Sequence, residues 1–412
     1  MTTSCEPDRR ESGGTPAFDP ASWDSVRAQF ALDPGRAHLA TFVFAAHPAP
    51  VRAAVTAHRD GLDRDAVGYL AANEERLDEA VLRGAADHLD TSPDQIALTD
   101  STTMGLGLLY TGLRLRPGDE VLTTEHDFYA THESLRLRAE RDGVTVRRVR
   151  LYRDPAVTTV DEIVANLAAA VTTRTRVVAL TWVHSSTGVK LPIRQLAEAV
   201  RARSPEALVC VDGVHGFGAE AVTPAQLGCD VLISGCHKWL LGPRGTGLGW
   251  GSERAWNRMT PVIATFDRRS IGHWLFGDGG APPTPAGPAH TPGGYHTFEH
   301  RWALAEAFEF HRRIGPERIA SRTRELADRL KEGLSGISGL RLVTPRSAEL
   351  SAGIVCCDVT DLPIGEAVGR LHAAGVTASS TPYNPSHLRF GATIANSPED
   401  VDAAIRAVRG LV

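Results

Sequence analysis

The chain has 412 residues, 42% of them hydrophobic and 23% charged, and carries a formal net charge of −5. That length can build a large domain and a smaller one, each with its own core. The slight acidity argues against a nucleic-acid or anionic-membrane partner, and no apolar run approaches the roughly 20 residues that cross a bilayer.

Residues 1–20 are polar and turn-rich and read as a disordered arm. Arg9–Arg10 is not followed by the apolar stretch of an export signal, so a cytoplasmic location is expected. From about residue 75, helical and strand patterns alternate. Glu75–Leu89 is amphipathic, Gln95–Leu98 is a short strand and Thr102–Leu113 a helix. Strand Glu120–Thr124, helix His132–Arg141, strand Val144–Leu151 and helix Val160–Val171 follow. Thr175–Val183 is a fully apolar strand of the kind buried on both faces. Helix Ile193–Arg203 and strands Ala207–Val211, Val231–Ser234 and Gly247–Gly251 continue the series. Such β–α repetition predicts an α/β fold with a mostly parallel sheet, helices on both faces and right-handed crossovers.

Residues 277–295 are dense in Gly and Pro and read as a lid or insert. Helices Phe298–Arg313 and Pro316–Leu334 come next. Strands Leu340–Val343, Gly353–Asp358 and Leu388–Ile394, with two helices, form a small C-terminal α+β domain. The expected division is a large domain over 21–300, whose first segment joins the small domain, then linking helices and the small domain over 301–412. Six scattered cysteines (Cys5, Cys210, Cys229, Cys236, Cys356, Cys357) form no CxxC and suit reduced thiols.

Three segments carry the chemistry. Ser234-Gly-Cys-His237-Lys238-Trp follows an apolar strand and places a lysine among Val, Leu, Ile and Trp. Burial depresses an ammonium's pKa and frees the amine as a nucleophile for a carbonyl; the alternative is a lysine snorkelling from a strand end. Upstream, the strand Ala207–Val211 runs into Asp212-Gly-Val-His215. A carboxylate at a strand's C-terminal end can pair with a protonated ring nitrogen, or simply cap a helix. Asp100-Ser-Thr102-Thr103, between strand and helix, offers free amides and hydroxyls suited to a phosphate; its bland reading is an ordinary N-cap.

In this order the segments resemble the fold-type I enzymes of pyridoxal-5′-phosphate (PLP), specifically the class V aminotransferase branch with its isopenicillin-N-epimerase-like and cysteine desulfurase-like members. The resemblance runs from about Leu32 to the C-terminus. It implies that Lys238 holds the cofactor as a Schiff base and that Asp212 faces the ring nitrogen. Thr102, Thr103, Ser234 and His237 would hold the phosphate, and Phe128 would stack on the ring. Ser185 and His215 would contact the ring's phenolic oxygen. Thr297 would reach the phosphate of a neighbouring subunit, implying a homodimer with shared sites, and Arg389 would bind the carboxylate of an amino-acid substrate. Catalysis would fall to Lys238, Asp212 and His215.

The chain departs from the family's pattern twice. Leu39-Ala-Thr-Phe-Val-Phe44 replaces the Asn/His-Gly-Ser turn common near the N-terminus of relatives. Residues 376–387 contain no cysteine, where desulfurases need a nucleophilic one. No residue separates the possible outcomes, but the branch that the chain resembles is rich in C–S lyases, which implies a lyase acting at Cβ, ahead of transamination, epimerisation or oxidative decarboxylation. The substrate is expected to be an amino acid or a larger conjugate, because His273, Trp274, His290 and Tyr295 flank the Gly/Pro stretch. Two rival readings weigh less. His296-Thr-Phe-Glu299-His300 matches a zinc-hydrolase pattern, but opens at a helix boundary. A regulator without turnover would need a DNA-binding module for which the chain has no length.

Overall fold

A computed structural model describes residues 18–277, 280 and 283–412. The proposed disordered arm thus lies almost wholly outside the described residues. A seven-stranded sheet forms the centre, in the order Ile96–Thr99, Gly247–Gly251, Val231–Gly235, Leu208–Asp212, Thr175–Thr181, Glu120–Thr124, Thr145–Val149. Every pairing is parallel except those of Gly247–Gly251, which runs antiparallel to both neighbours. The inner strands Leu208–Asp212 and Val231–Gly235 are buried at every residue, as expected of a sheet covered on both faces. The C-terminal ends of the parallel strands bring Thr181, Asp212 and Gly235 to one edge, where α/β folds bind their ligands.

The small domain is a four-stranded antiparallel sheet, ordered Ser379–Ser380, Leu388–Gly391, Ile354–Val359, Leu340–Leu342. The N-terminal segment joins it: Ala37–His38 pairs in parallel with Val376–Thr377, and Gly391 N donates to Leu39 O at 2.7 Å. Gly391 also marks a close approach. A Cβ there would stand 2.4 Å from the Phe42 ring, so the space beside Arg389 is taken by Phe42.

Helix Phe298–Ile314 packs on helices Ala49–Arg64 and Ala66–Leu89, with Trp302 Nε1 donating to Asp78 Oδ1 at 3.1 Å. The Gly/Pro stretch is not one free loop. Ala286–Ala289 forms a helical turn, Thr291 Oγ1 accepts from Leu98 N at 3.0 Å, and the His290 ring stacks on Trp256 at 4.6 Å. This part covers the edge strand Ile96–Thr99, which removes His290 from the set expected around a substrate. Cys210, Cys229, Cys236, Cys356 and Cys357 are buried free thiols. No helix among the described residues is long and apolar enough to cross a membrane.

Candidate active site

The chain contains three lysines, Lys190, Lys238 and Lys331. Lys190 pairs with Glu220 at 3.2 Å and Lys331 with Asp328 at 2.8 Å. Among the described residues, no carboxylate lies within pairing distance of Lys238. Its Nζ lies 3.3 Å from His215 Nε2, and burial lowers its pKa to about 8, against an opposing pull from Asp212. Trp239 Nε1–H donates to His215 Nδ1 at 3.2 Å, which leaves the neutral imidazole's proton on Nε2. Burial, reinforced by the charges of Lys238 and Arg389, holds His215 well below the usual imidazole range. A neutral Nε2–H directed at Nζ favours the unprotonated amine. This is a lysine prepared to act as a nucleophile and base.

Asp212 ends its strand almost fully buried. Val214 N donates to its Oδ1 at 3.1 Å, yet burial raises the carboxyl to about 6, with the Val214 amide and the Lys238 charge pulling the other way. A carboxylate at this depth lacks the cation that would hold it ionised. A pyridinium nitrogen fits that need.

A cluster of donors that could cradle a phosphate lies at the start of helix Thr102–Gly112. Ser101 caps the helix through Met104 N at 3.1 Å, which leaves the first-turn amides of Thr102 and Thr103 without helical acceptors. Gly235 N donates to Thr102 Oγ1 at 2.7 Å. A Cβ on Gly235 would sit 2.8 Å from the His237 ring and 3.0 Å from the Thr102 hydroxyl, so these groups converge. His237 Nδ1 is buried without a partner. Ser234, fully buried, turns its hydroxyl to Gly235 O at 3.0 Å. These donors and the helix's positive end suit a dianionic phosphate.

Arg389 comes from the small domain, and its charge acts on both His215 and Lys238. Its Nε donates to Ser379 Oγ at 3.1 Å and its Nη1 to Ser185 O at 3.2 Å, leaving one hydrogen on Nη1 and both on Nη2 for a carboxylate. The guanidinium stands 5.0 Å above the Phe42 ring. Phe42 in turn stacks on Trp239 at 5.6 Å and meets His215 edge-on at 5.9 Å. The segment that departs from the family's turn thus supplies the wall between Lys238 and Arg389.

The other expected residues are placed less centrally. Ser185 Oγ bonds Tyr383 Oη at 2.7 Å. Phe128 is half-buried and meets the Tyr383 ring edge-on at 5.8 Å. Beside it, the His126 ring lies parallel to Tyr152 at 3.9 Å, and Tyr152 Oη bonds His184 Nδ1 at 2.8 Å and Thr187 Oγ1 at 2.9 Å. Thr103 has an exposed side chain. Thr297 precedes helix Phe298–Ile314 and lines a small cavity with Asp100, Gly245 and Arg301. The zinc pattern dissolves: His296 lies before the helix begins, and His300 Nδ1 sits 3.0 Å from Arg244 O. Among the described residues no cluster of three His, Cys, Asp or Glu could hold a metal. Sequence reasoning missed Phe42, Trp239 and Tyr383.

A parallel α/β sheet with a buried lysine, a buried carboxylate and a phosphate cradle at its C-terminal edge defines a PLP-dependent enzyme. Residues 76–403 match the family model Aminotransferase class-V, and the chain belongs to that family. It is similar to isopenicillin N epimerase of Streptomyces clavuligerus, 28% identical over 95% of this chain and 98% of the relative. It also resembles a probable cysteine desulfurase of Xylella fastidiosa, 27% identical over 81% and 80%. Among solved structures, the cystine C–S lyase C-DES bound to cysteine persulfide shares the fold, with a TM-score of 0.83 at 21% identity over 91% of this chain and 98% of that one. A C-DES variant with glycine covalently linked to the PLP cofactor matches with a TM-score of 0.84 at 21% identity, over 93% and 98%.

Proposed function

We propose that the chain inverts the configuration at Cα of an amino acid or amino-acid conjugate, with Lys238 as cofactor anchor and base. The observation that carries this reading is the gathering of Lys238 and Arg389 around His215 and Phe42, with Asp212 close enough for its charge to act on Lys238, supported by the near full-length likeness to an epimerase. When bound, PLP draws electrons from the bonds at the substrate's Cα. The protein's own residues do the rest. With the cofactor bound, Asp212 would keep the ring nitrogen protonated, while Thr102, Ser234, His237 and the amide of Thr103 would hold the phosphate. His215 keeps Lys238 unprotonated, and Phe128 and Ser185 border the ring. Arg389 fixes the carboxylate and so selects the Cα–H bond for cleavage. β-Elimination, ranked first on sequence alone, stands as the second reading and is favoured by the desulfurase relatives. Incubation with single enantiomers of an amino-acid panel, followed by chiral and keto-acid analysis, separates the two. Appearance of the opposite enantiomer supports inversion; keto acid with a released thiol and no inversion overturns it.

Arg389→Ala should lower kcat/KM by about one to two orders of magnitude, because a charge-assisted bond to a carboxylate contributes roughly 1.5–3 kcal/mol. Arg389→Lys should recover only part, since an ammonium cannot bridge Ser379 and Ser185 while also holding a carboxylate. Cofactor affinity should be unaltered in both variants. Loss of cofactor in Arg389→Ala would make the arginine structural.

We infer a homodimer as well. Trp274 and Phe276 are 81% and 87% exposed, and Phe44, Phe266 and Tyr295 add further exposed aromatic surface. Phe44 lies alongside His237, with ring centroids 6.3 Å apart, so this one exposed ring reaches the segment that carries Lys238. A second copy is the partner the family fold suggests, with Thr297 and this face completing its neighbour's site. Light scattering across a dilution series, read beside activity, should show a dimer wherever turnover persists. A fully active monomer contradicts the assignment.

A further inference from the structure

Resting on the inversion reading above, we propose that Tyr383 is the second proton-transfer residue of this site, acting on the substrate's Cα from the side away from Lys238. The pocket wall is a chain of contacts. It runs from Lys238 to His215 (3.3 Å), then to the Phe42 ring (5.9 Å), then to Arg389 (5.0 Å). From Arg389 it continues to Ser185 through its carbonyl (3.2 Å) and to Tyr383 through its hydroxyl (2.7 Å), ending at Phe128. Arg389 stands in the middle of that sequence, Lys238 at one end and Tyr383 towards the other. The Arg389 charge acts on both Lys238 and Tyr383, and we set the Cα of a carboxylate held by Arg389 between the amine of the one and the hydroxyl of the other.

Tyr383 is held for this task. Its loop is closed by Thr381 N to His387 O at 2.9 Å, His387 N to Thr381 Oγ1 at 2.8 Å and Ser386 Oγ to Thr381 O at 2.7 Å. The loop is fastened to the neighbouring strand by His387 Nδ1 and Asp358 Oδ1 at 2.6 Å. Burial keeps the phenol above its usual range, and hence protonated, while the nearby Arg389 charge favours the phenolate formed when it gives up its proton.

The proton balance is simple. Lys238 Nζ takes the Cα proton, an N–H bond forming as the C–H bond breaks, and the electron pair stays with the substrate and its cofactor. The Tyr383 O–H bond then breaks, and its proton forms the new C–H bond with that pair. Solvent returns a proton to the phenolate, relayed through the Ser185 hydroxyl as its own O–H is replaced in the same motion, and solvent also takes the proton from Lys238. In the reverse direction the two groups exchange roles.

The test is Tyr383→Phe in the PLP-loaded enzyme, with Cα–H exchange followed in D2O by NMR for each enantiomer of alanine separately. Wild type should exchange both enantiomers. Tyr383→Phe should lose exchange from one by at least about 100-fold, keep exchange from the other, and bind PLP within twofold of wild type by absorbance titration. Equal exchange of both enantiomers in the variant overturns the proposal, as does wild type that exchanges only one. Parallel loss for both enantiomers together with weakened PLP binding also overturns it, because that marks a structural role. Wild type that yields keto acid without inversion defeats the inversion reading alone, since the exchange pattern still judges Tyr383.

Discussion

Replacing Lys238 with Ala should abolish turnover while leaving the cofactor able to bind. General acid–base catalysis alone contributes about 10²–10⁴-fold, and loss of covalent anchoring adds to it. Retained binding is expected because Thr102 and the carboxylate of Asp212 lie on other segments, and Ser234 and His237, on the same segment as Lys238, keep their own side chains. Added small primary amines should restore part of the rate, because the truncated side chain leaves space beside His215. The check is steady-state turnover with and without amine, beside absorbance titration of PLP. Substantial turnover without added amine would place the base elsewhere.

Asp212→Ala should lower turnover by about two to three orders of magnitude, since removing one partner of a buried charge pair costs about 3–5 kcal/mol. The same residue gives a pH signature in cofactor-free protein. Burial lifts its folded-state pKa to about 6, above the ordinary value of 3.8. The folded state therefore holds the proton more tightly, and this contribution to stability is present below pH 3.8 and lost as pH rises through 6. At neutral pH the buried anion costs about 3 kcal/mol. Asp212→Asn should remove that cost and raise the cofactor-free melting temperature at pH 7.5, and by about half as much at pH 5. Bound PLP should stabilise wild type more at pH 7.5 than at pH 5. Melting curves at the two pH values, with and without PLP, test both; a pH-independent gain in Asp212→Asn contradicts the assignment.

The large sheet was legible because its strands are continuous apolar runs, and Ile193–Arg203 and Gly247–Gly251 coincide with their expected bounds. Helix Ala49–Arg64 was not legible. It packs through Ala49, Val51 and Gly61, and such small residues leave no apolar stripe to read. Helix Arg268–Phe276 buries no residue at all, so nothing in its pattern points to a core. Leu388–Ile394 ends early, at Gly391, because Thr393 N turns to Asn396 Oδ1 at 2.9 Å.

In the site, Lys238 and Asp212 were legible because both sit at the ends of apolar strands. The scarcity of lysine, three in the whole chain, is a further signal on the page. Tyr383 was not legible: its partner Ser185 lies 198 residues away, and no local pattern encodes a contact across two domains. Phe42 was hidden for the same reason. Its ring is placed by Gly391, Trp239 and Arg389, each from a distant segment.

The most direct test of the account is to reduce the PLP-loaded protein with borohydride, digest it and map the added mass. Three lysines make the outcome unambiguous. The account predicts the cofactor's mass on the peptide containing Lys238 and on neither Lys190 nor Lys331; label on either of those, or none after PLP addition, would contradict it.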